Sequence, residues 1–553
     1  MEPLDRIKRV KTDHVQENNS SNEPLPMSPL EEFTECFTHD LFSSSKFDDI
    51  KDKYEISKPF KYCEISPIFE NKLLKDVQTE IIDNLNFTLK ETDIYAYNQS
   101  GDLANLDGLP ADEKNKLPSL KLLRDAIYSP QFRSFVSKIT GCGPLSGIKT
   151  DMSTNIFKDT NYLLLHDDVI EDRIISFIIY LPTLNGKKDW EPAEGGALEL
   201  YPVIDNSSVP HISPETSLST RWNKIVFFEV KPGYSFHSVS EVIAKDPKVQ
   251  RLSIQGWFHA PQKSEVGYSS IPKTLSHTPT LKQIHMGDDY LSFTKIETPQ
   301  NASHNLVLSN DDKAYLEIFV NPDYLSDKII QQTQNLFLEQ SYIQLGKFLN
   351  FDNSAKLEEI IKVADKLDNF NTTNLPYHGS GECGRWKVRG PSVLRRFLEL
   401  DGPSGSNTAD KGINDHQLLT FTLASLRDEL FKSEAFRNWI SIVTQVDIGS
   451  YRGSVRRFRP GLDYVLASKT GITNPTIDVN LSLTPIDSTE DKNLWQSGQV
   501  GGYECYLTVE PDDTPASVYK RLDDEDPLLT VPASWNTLNL VYCEPEVLKF
   551  THL

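Results

Sequence analysis

Asn161-Tyr162-Leu163-Leu164, Ile179-Tyr180-Leu181-Pro182, Gly195-Gly196-Ala197-Leu198-Glu199 and Trp222-Asn223-Lys224-Ile225-Val226 recur in the same order as Asp463-Tyr464-Val465-Leu466, Ser482-Leu483-Thr484-Pro485, Gly501-Gly502-Tyr503-Glu504 and Trp535-Asn536-Thr537-Leu538-Asn539. Each match alone is weak. Four in one order mark a diverged internal duplication, so two domains of one fold are expected. Around the first copy, residues 174–182, 198–201, 224–230 and 251–258 are short runs of β-branched and aromatic residues divided by Gly, Pro, Asn and Asp. That texture predicts an α+β, mainly β chain, with each β sandwich or barrel carrying helices on its outside.

Residues 1–30 are rich in Asn, Ser, Glu and Pro and read as a disordered tail. The tail's basic cluster Arg6-Ile7-Lys8-Arg9-Val10-Lys11 fits an import signal and a solvated tail equally well. Residues 31–261 make the first domain, with an amphipathic helix over 68–85 on which Ile68, Leu73, Leu74, Val77, Ile81, Ile82 and Leu85 fall at helical spacing. Residues 262–304 lose periodicity, collect Ser, Thr, Pro and His, and read as a linker. The second domain, 305–553, opens with helical patterns over 324–349 and 355–367 before its own β-rich region.

Composition narrows the partners. The 553 residues carry 57 Lys and Arg against 79 Asp and Glu, a net charge of −22, which disfavours phosphate-backbone binding over the whole surface. A basic polypeptide fits better than nucleic acid. Hydrophobic residues at 38% are enough for cores. No apolar run approaches the ~18 residues of a membrane span, and residues 1–29 lack the apolar centre of a secretory signal, so a soluble intracellular protein is expected. Six dispersed cysteines without a Cys-x-x-Cys pair indicate neither a disulfide framework nor a zinc knuckle.

The chemistry concentrates in the first copy. Strand side chains alternate, so in Leu163-Leu164-Leu165-His166-Asp167-Asp168 the His166 imidazole and the Asp168 carboxylate should share a face, with Asp167 opposite. These are two ligands of a facial triad on non-haem Fe(II), which needs one further His. His237 is the candidate; His211, in a Pro/Ser-rich loop, and His259, at the end of the Arg251 strand, rank below it. Arg251-Leu252-Ser253 then sets a guanidinium and a hydroxyl on one strand face, suited to bidentate recognition of a buried carboxylate.

His166-x-Asp168, His237 and Arg251-x-Ser253 match the motif set of the Fe(II)/2-oxoglutarate-dependent oxygenases. The wider runs Leu163-Leu-Leu-His-Asp-Asp-Val169, Phe177-Ile-Ile-Tyr-Leu-Pro182, Ser235-Phe-His-Ser-Val-Ser-Glu-Val242 and Arg251-Leu-Ser-Ile-Gln-Gly-Trp-Phe-His259 resemble the ribosomal prolyl hydroxylases, the family of the fungal termination-and-polyadenylation protein and the fission-yeast oxygen-sensing hydroxylase. Gly384-Arg-Trp-Lys-Val-Arg-Gly-Pro391 and Arg456-Arg-Phe-Arg-Pro-Gly461 look like the second domain of that family. The resemblance implies two tandem double-stranded β-helix (jelly-roll, cupin-like) domains with flanking helices, only the first holding iron. It also implies Fe(II), 2-oxoglutarate and O₂ as cofactor and cosubstrates, with ascorbate, and a location in nucleus and cytoplasm.

The family places a Tyr on the strand after the His-x-Asp strand, against the 2-oxoglutarate carboxylate, and Tyr180 stands there. A second family Tyr falls nine residues before the first ligand, where this chain has Phe157, so Phe157 is left out of the expected site. Phe177, Ile179 and Phe236 are expected to form a dry wall, while Trp222 and Trp257 read as core aromatics more than pocket lining. Aligning the two copies puts Ser468-Lys469-Thr470 under His166-Asp167-Asp168, so the second copy should be metal-free. The implied activity is C3 hydroxylation of a proline in a basic small-subunit ribosomal protein, with a second hydroxylation in fungal members, affecting translation termination. The rival is an oxygen-sensing regulator whose second domain binds a regulatory protein and controls degradation of a transcription factor.

Overall fold

The computed structural model describes residues 33–205, 207–269, 291–296, 307–370, 374–402, 414–467, 474–486, 488–497, 501–508, 529–545 and 547–551. The tail 1–30, most of the linker and Ser468-Lys469-Thr470 lie outside them. The first half builds one eleven-stranded antiparallel sheet: β1 (Tyr62–Ile65), β2 (Thr88–Glu91), β3 (Tyr95–Gln99), β4 (Thr150–Phe157), β5 (Tyr162–His166), β6 (Arg173–Tyr180), β7 (Leu198–Leu200), β8 (Thr216–Leu218), β9 (Lys224–Glu229), β10 (His237–Val239) and β11 (Arg251–His259). Their order is β1-β9-β6-β11-β4-β3-β5-β10-β7-β8, with β2 paired to β3. The sheet curls, because residues from β4, β5, β6, β7, β10 and β11 all line one cleft.

Alternation divides the sheet's two faces. Ile175, Phe177 and Ile179 of β6 pack outward into a core shared with the helices Asn71–Asn84, Pro118–Ile127 and Pro130–Thr140, while Ser176, Ile178 and Tyr180 turn toward the interior. The pattern over 68–85 forms the helix Asn71–Asn84, which buries Leu74, Val77 and Ile81. Each such side chain contributes about 1.5–3 kcal/mol of burial. Ile68 is also buried but precedes the helix, and Ile82 is half exposed.

The second half carries β12 (Thr294–Lys295), β13 (Tyr342–Gly346), β14 (Trp386–Arg389), β15 (Arg395–Leu400), β16 (Ser450–Tyr451), β17 (Arg456–Arg457), β18 (Tyr464–Val465), β19 (Thr476–Ser482), β20 (Glu504–Thr508), β21 (Leu529–Val531), β22 (Thr537–Cys543) and β23 (Val547–Thr551). Two of its sheets repeat the first half's pairings: β13-β22-β19 parallels β1-β9-β6, and β15-β18-β23-β20-β21 parallels β3-β5-β10-β7-β8. The repeated Trp-Asn pair does the same work in both places. Asn223 and Asn536 adopt left-handed conformations, φ 56° and 48°, which Asn tolerates better than most side chains. Asn223 accepts from Ile68 N and Phe69 N and donates to Phe69 O; Asn536 accepts from Leu349 N and donates to Leu349 O. Trp222 Nε1 donates to Asn71 Oδ1, and Trp535 Nε1 to Ser354 Oγ.

Two expectations change. The helical pattern over 324–349 breaks into a short turn Pro322–Leu325, the helix Asp327–Gln340 and β13, with Ser341 at φ 61° ending the helix. Pairing with β22 outweighs helix propensity there, because Ile343 and Leu345 alternate inward. The ladders pair Tyr180 with Lys224 and Ser482 with Thr537, so the counterpart of Tyr180 is Ser482, one residue from the match on Pro182 and Pro485. Within the linker, β12 pairs with β16. Among the described residues, no helix is long and apolar enough to cross a membrane.

The second half packs against the back of the strands that carry the candidate ligands. Tyr464 and Leu466 join Ala96, Tyr162 and Leu164, and Val393 joins Leu165, Tyr201 and Phe236.

Candidate metal centre and cosubstrate pocket

His166, at the last residue of β5, and His237, at the first of β10, are ladder partners. Two steps along β10, from His237 to Val239, oppose three along β5, from His166 to Leu163. This bulge re-aims β5 next to the site. Asp168 lies beyond the strand at φ 56°, so a left-handed turn delivers its carboxylate, where simple alternation had been expected. Asp167 points away as expected; it is buried and accepts from Gly233 N at 3.1 Å, which holds the turn.

The three side chains converge. His166 Nε2 and His237 Nε2 each lie 3.5 Å from an Asp168 oxygen, and one ligand atom from each residue falls within 4.8 Å of the others. His166 Nδ1 faces Leu164 O at 2.8 Å and His237 Nδ1 faces Ser235 O at 3.0 Å. Each Nδ1 therefore donates a proton to a backbone carbonyl, which leaves Nε2 as the atom of each ring that a metal would take. Burial opposes charge on Asp168, but the His237 and His166 rings beside it hold its carboxyl well below the usual range. Ser176 Oγ and Trp257 Nε1 also donate to Asp168 Oδ2, at 2.9 and 3.1 Å. Behind Trp257, Arg173 stacks 3.5 Å from the ring centroid while bonded to Asp151 at 2.6 Å.

Deeper in the same cleft, of about 360 Å³, Arg251 is 1% exposed. Its Nε donates to Gly196 O at 2.7 Å and its Nη1 to Ser253 Oγ at 3.3 Å. Gly196, at φ 67°, must lack a side chain, since a Cβ would meet Arg251 Cδ at 2.8 Å. Arg251 Nη2 and Tyr180 Oη are fully buried without a hydrogen-bond partner. Two orphaned donors at one place cost free energy unless a ligand accepts from them, and a carboxylate does so. The donor set thus fits 2-oxoglutarate, and the two imidazoles and the carboxylate above it fit Fe(II).

The expected wall is wrong. Phe177 and Ile179 face the helices and Phe236 faces the second half, because a strand that turns Tyr180 inward must turn its odd-numbered neighbours outward. The apolar lining is Leu163, Ile178, Leu198, Val239 and also Phe157, which had been expected outside the site. Tyr97 of β3 stacks on Phe157 with centroids 5.1 Å apart, a neighbour that no local pattern announces. His259 is engaged by Asp172 at 2.8 Å, and His211 sits exposed against Ser213; neither joins the triad. Trp222 stays with Asn71, while Trp257 reaches the ligand Asp168 directly.

Residues 152–259 match the 2OG-Fe(II) oxygenase superfamily, and residues 311–552 match the family described as "Oxoglutarate and iron-dependent oxygenase degradation C-term". The site and both matches define a 2-oxoglutarate- and iron-dependent oxygenase. A prolyl 3,4-dihydroxylase OGFOD1 of Ostreococcus tauri is 35% identical over 486 residues, 87% of this chain and 89% of the relative. The prolyl 3-hydroxylase sudestada1 of Drosophila melanogaster is 24% identical over 90% of this chain and 80% of its own length. The prolyl 3-hydroxylase OGFOD1 of Xenopus laevis is 34% identical over 54% of this chain and 48% of its own. The chain belongs to the OGFOD1 family. Among solved structures, a Pseudomonas putida prolyl-4-hydroxylase aligns over 38% of this chain and 98% of its own, at 16% identity and a TM-score of 0.29.

Proposed function

We propose that this chain is an Fe(II)- and 2-oxoglutarate-dependent peptidyl-prolyl hydroxylase acting at C3, and then C4, of a proline in a basic small-subunit ribosomal protein. The observation that carries the reading is the pairing, in one cleft, of a His-Asp-His triad with two orphaned buried donors, Arg251 Nη2 and Tyr180 Oη. Prolyl specificity is supported by the names of the relatives, and the second oxygen by the dihydroxylase that aligns over most of the chain. The chain's net charge of −22 is complementary to a basic substrate.

In this reading His166 and His237 bind iron through Nε2 and Asp168 through its carboxylate. Bound Fe(II) with 2-oxoglutarate and O₂ supplies oxidative chemistry that couples decarboxylation to succinate with insertion of oxygen into a C–H bond. Arg251 and Tyr180 orient the far carboxylate of the cosubstrate, and Ser253 fixes the guanidinium fork. Phe157, Leu163, Ile178, Leu198 and Val239 exclude water, and ascorbate serves as reductant.

The matched ladders of the two halves support two tandem double-stranded β-helix domains, 31–261 and 305–553, joined by 262–304. A nuclear and cytoplasmic location and an effect on translation termination complete the reading. A second reading, regulation of protein degradation through a partner of the second domain, is favoured by the description of the family that matches 311–552. Mass spectrometry of ribosomal proteins from cells carrying the wild type or His166→Ala tests the first: proline oxygen mass should be lost in the variant, and its retention would overturn the assignment. A degradation role carried by the second domain should survive the same substitution.

A further inference from the structure

Strand β10 is only three residues long, and His237 is its first. Its next residue, Ser238, turns away from the cleft. Ser238 Oγ donates to Glu199 Oε2 at 3.1 Å and lies 3.2 Å from Tyr201 Oη, and Tyr201 Oη donates to the same carboxylate oxygen at 2.8 Å. The other oxygen, Glu199 Oε1, faces His378 Nε2 of the second half at 2.9 Å. Arg396, also from the second half, donates from Nη1 to Tyr201 Oη at 3.3 Å and from Nε to Leu462 O at 2.7 Å. Arg459 holds this cluster from behind: its Nη1 donates to His378 O, and its Nε and Nη2 form a fork on Asp463 at 2.9 and 2.8 Å. Glu199, Tyr201, Ser238, Arg396, Arg459 and Asp463 are all buried.

Such a network is rigid, since a buried carboxylate has no water to replace a lost partner. Burial opposes charge on Glu199, yet the His378 hydrogen bond and the nearby Arg396 keep its carboxyl below the usual range. Strand β10 is paired on both sides, along its whole length with β7 and across the bulge with β5. The anchors on Ser238 add to those ladders in fixing where His237 stands.

We propose that His378 is a positioning residue for the metal centre: by holding Glu199 it fixes Ser238 and, through the backbone, His237, so the second half sets the metal affinity of the first. The proposal rests on the metal-binding reading of the triad. It predicts that loss of the contact weakens metal binding without touching the cosubstrate anchors Arg251 and Tyr180.

The test is an anaerobic Mn(II) titration of the full chain, reading free ion by electron paramagnetic resonance, with the KM for 2-oxoglutarate measured at saturating Fe(II). His378→Ala should raise the Mn(II) Kd about tenfold, as for other outer partners of metal ligands, and leave that KM unchanged. His378→Gln, whose amide can still donate to Glu199, should restore the Kd toward wild type. Glu199→Gln keeps an acceptor for both hydroxyls and loses the anionic partner of His378; it should weaken binding by about threefold, a few tenths of a decade in a network of this kind, and serves if His378→Ala fails to fold. Ser392→Ala removes a different contact between the halves, Ser392 Oγ to His211 O at 3.2 Å, and should leave the Kd unchanged. A wild-type Kd in both His378→Ala and Glu199→Gln, or equal weakening by Ser392→Ala, would overturn the proposal. If the wild-type chain itself takes up no Mn(II), the reading of the triad fails first and the proposal goes with it.

Discussion

The interiors of the two halves use similar strands and opposite arrangements of charge. In the first, His166, Asp168 and His237 converge while Arg251 and Tyr180 keep donors without partners. In the second, the polar side chains are turned on one another. The residue two past Gly196 pairs with Val239 and the residue two past Gly502 pairs with Thr551, so Lys549 stands where His237 does. Lys549 is bonded to Asp478 and lies 3.1 Å from Glu504. Asp478 occupies the place of Ser176 and accepts from Tyr506 at 2.6 Å; Glu504 accepts from Arg456 at 3.0 Å and Asn480 at 2.9 Å. Burial disfavours charge on both Lys549 and Asp478, but their mutual attraction keeps the ammonium protonated and the carboxylate ionised. An ammonium so held offers no lone pair. Among the described residues the three-ligand group lies in the first half alone.

That contrast can be broken deliberately. The largest effect is expected from Asp168→Ala, which should lower succinate formation by more than about 10³-fold, the scale of losing an interaction on which the whole reaction depends; turnover at the wild-type rate would remove the iron assignment. Lys549→Ala, in the equivalent place of the second half, leaves the half-buried Asp478 with its Tyr506 hydrogen bond but without its cation. It should cost about 1–3 kcal/mol in chemical denaturation, with kcat retained in the folded fraction. Loss of catalysis without loss of stability would reverse the roles given to the two interiors.

Arg251→Lys keeps the charge but loses the planar fork, and should raise the KM for 2-oxoglutarate about 100-fold, the equivalent of roughly 3 kcal/mol of charge-assisted hydrogen bonding. An unchanged KM would place the cosubstrate elsewhere. The smallest effect concerns the seam between the halves. Asp93 accepts from Ala467 N at 3.3 Å, and burial pushes its carboxyl up to about 7. A carboxyl raised in the folded state stabilises fully below its unfolded pKa, and that contribution is lost as pH rises through about 7. The stability advantage of Asp93→Asn over wild type should therefore grow by about 1.4 kcal/mol between pH 6 and pH 8 and vanish below pH 4. A pH-independent difference in denaturation midpoints would contradict it.

The candidate ligands were legible because chemistry restricts them: few residue sets other than His-x-Asp, a distant His and Arg-x-Ser serve this purpose. The Trp-Asn pairs were legible because the same left-handed turn recurs. The dry wall was missed through parity, since placing Tyr180 inward already excludes Phe177 and Ile179. The turn at Asp168 was hidden because a bulge depends on the partner strand. Tyr-Ile-Gln-Leu-Gly over Tyr342–Gly346 suits a helix end or a strand, and only β22 decides between them. Glu199 and His378 are 179 residues apart, so no local pattern joins them. Trp257 is buried as a core aromatic should be, and only its placement shows that its indole also donates to Asp168.

Whether the first half alone holds a metal is decided by the iron content of the full chain reconstituted anaerobically with Fe(II) and 2-oxoglutarate, measured by inductively coupled plasma mass spectrometry. One iron per chain is expected for the wild type and for Lys549→Ala, and none for Asp168→Ala. Two irons per chain, or one retained in Asp168→Ala, would overturn a single site at His166, Asp168 and His237.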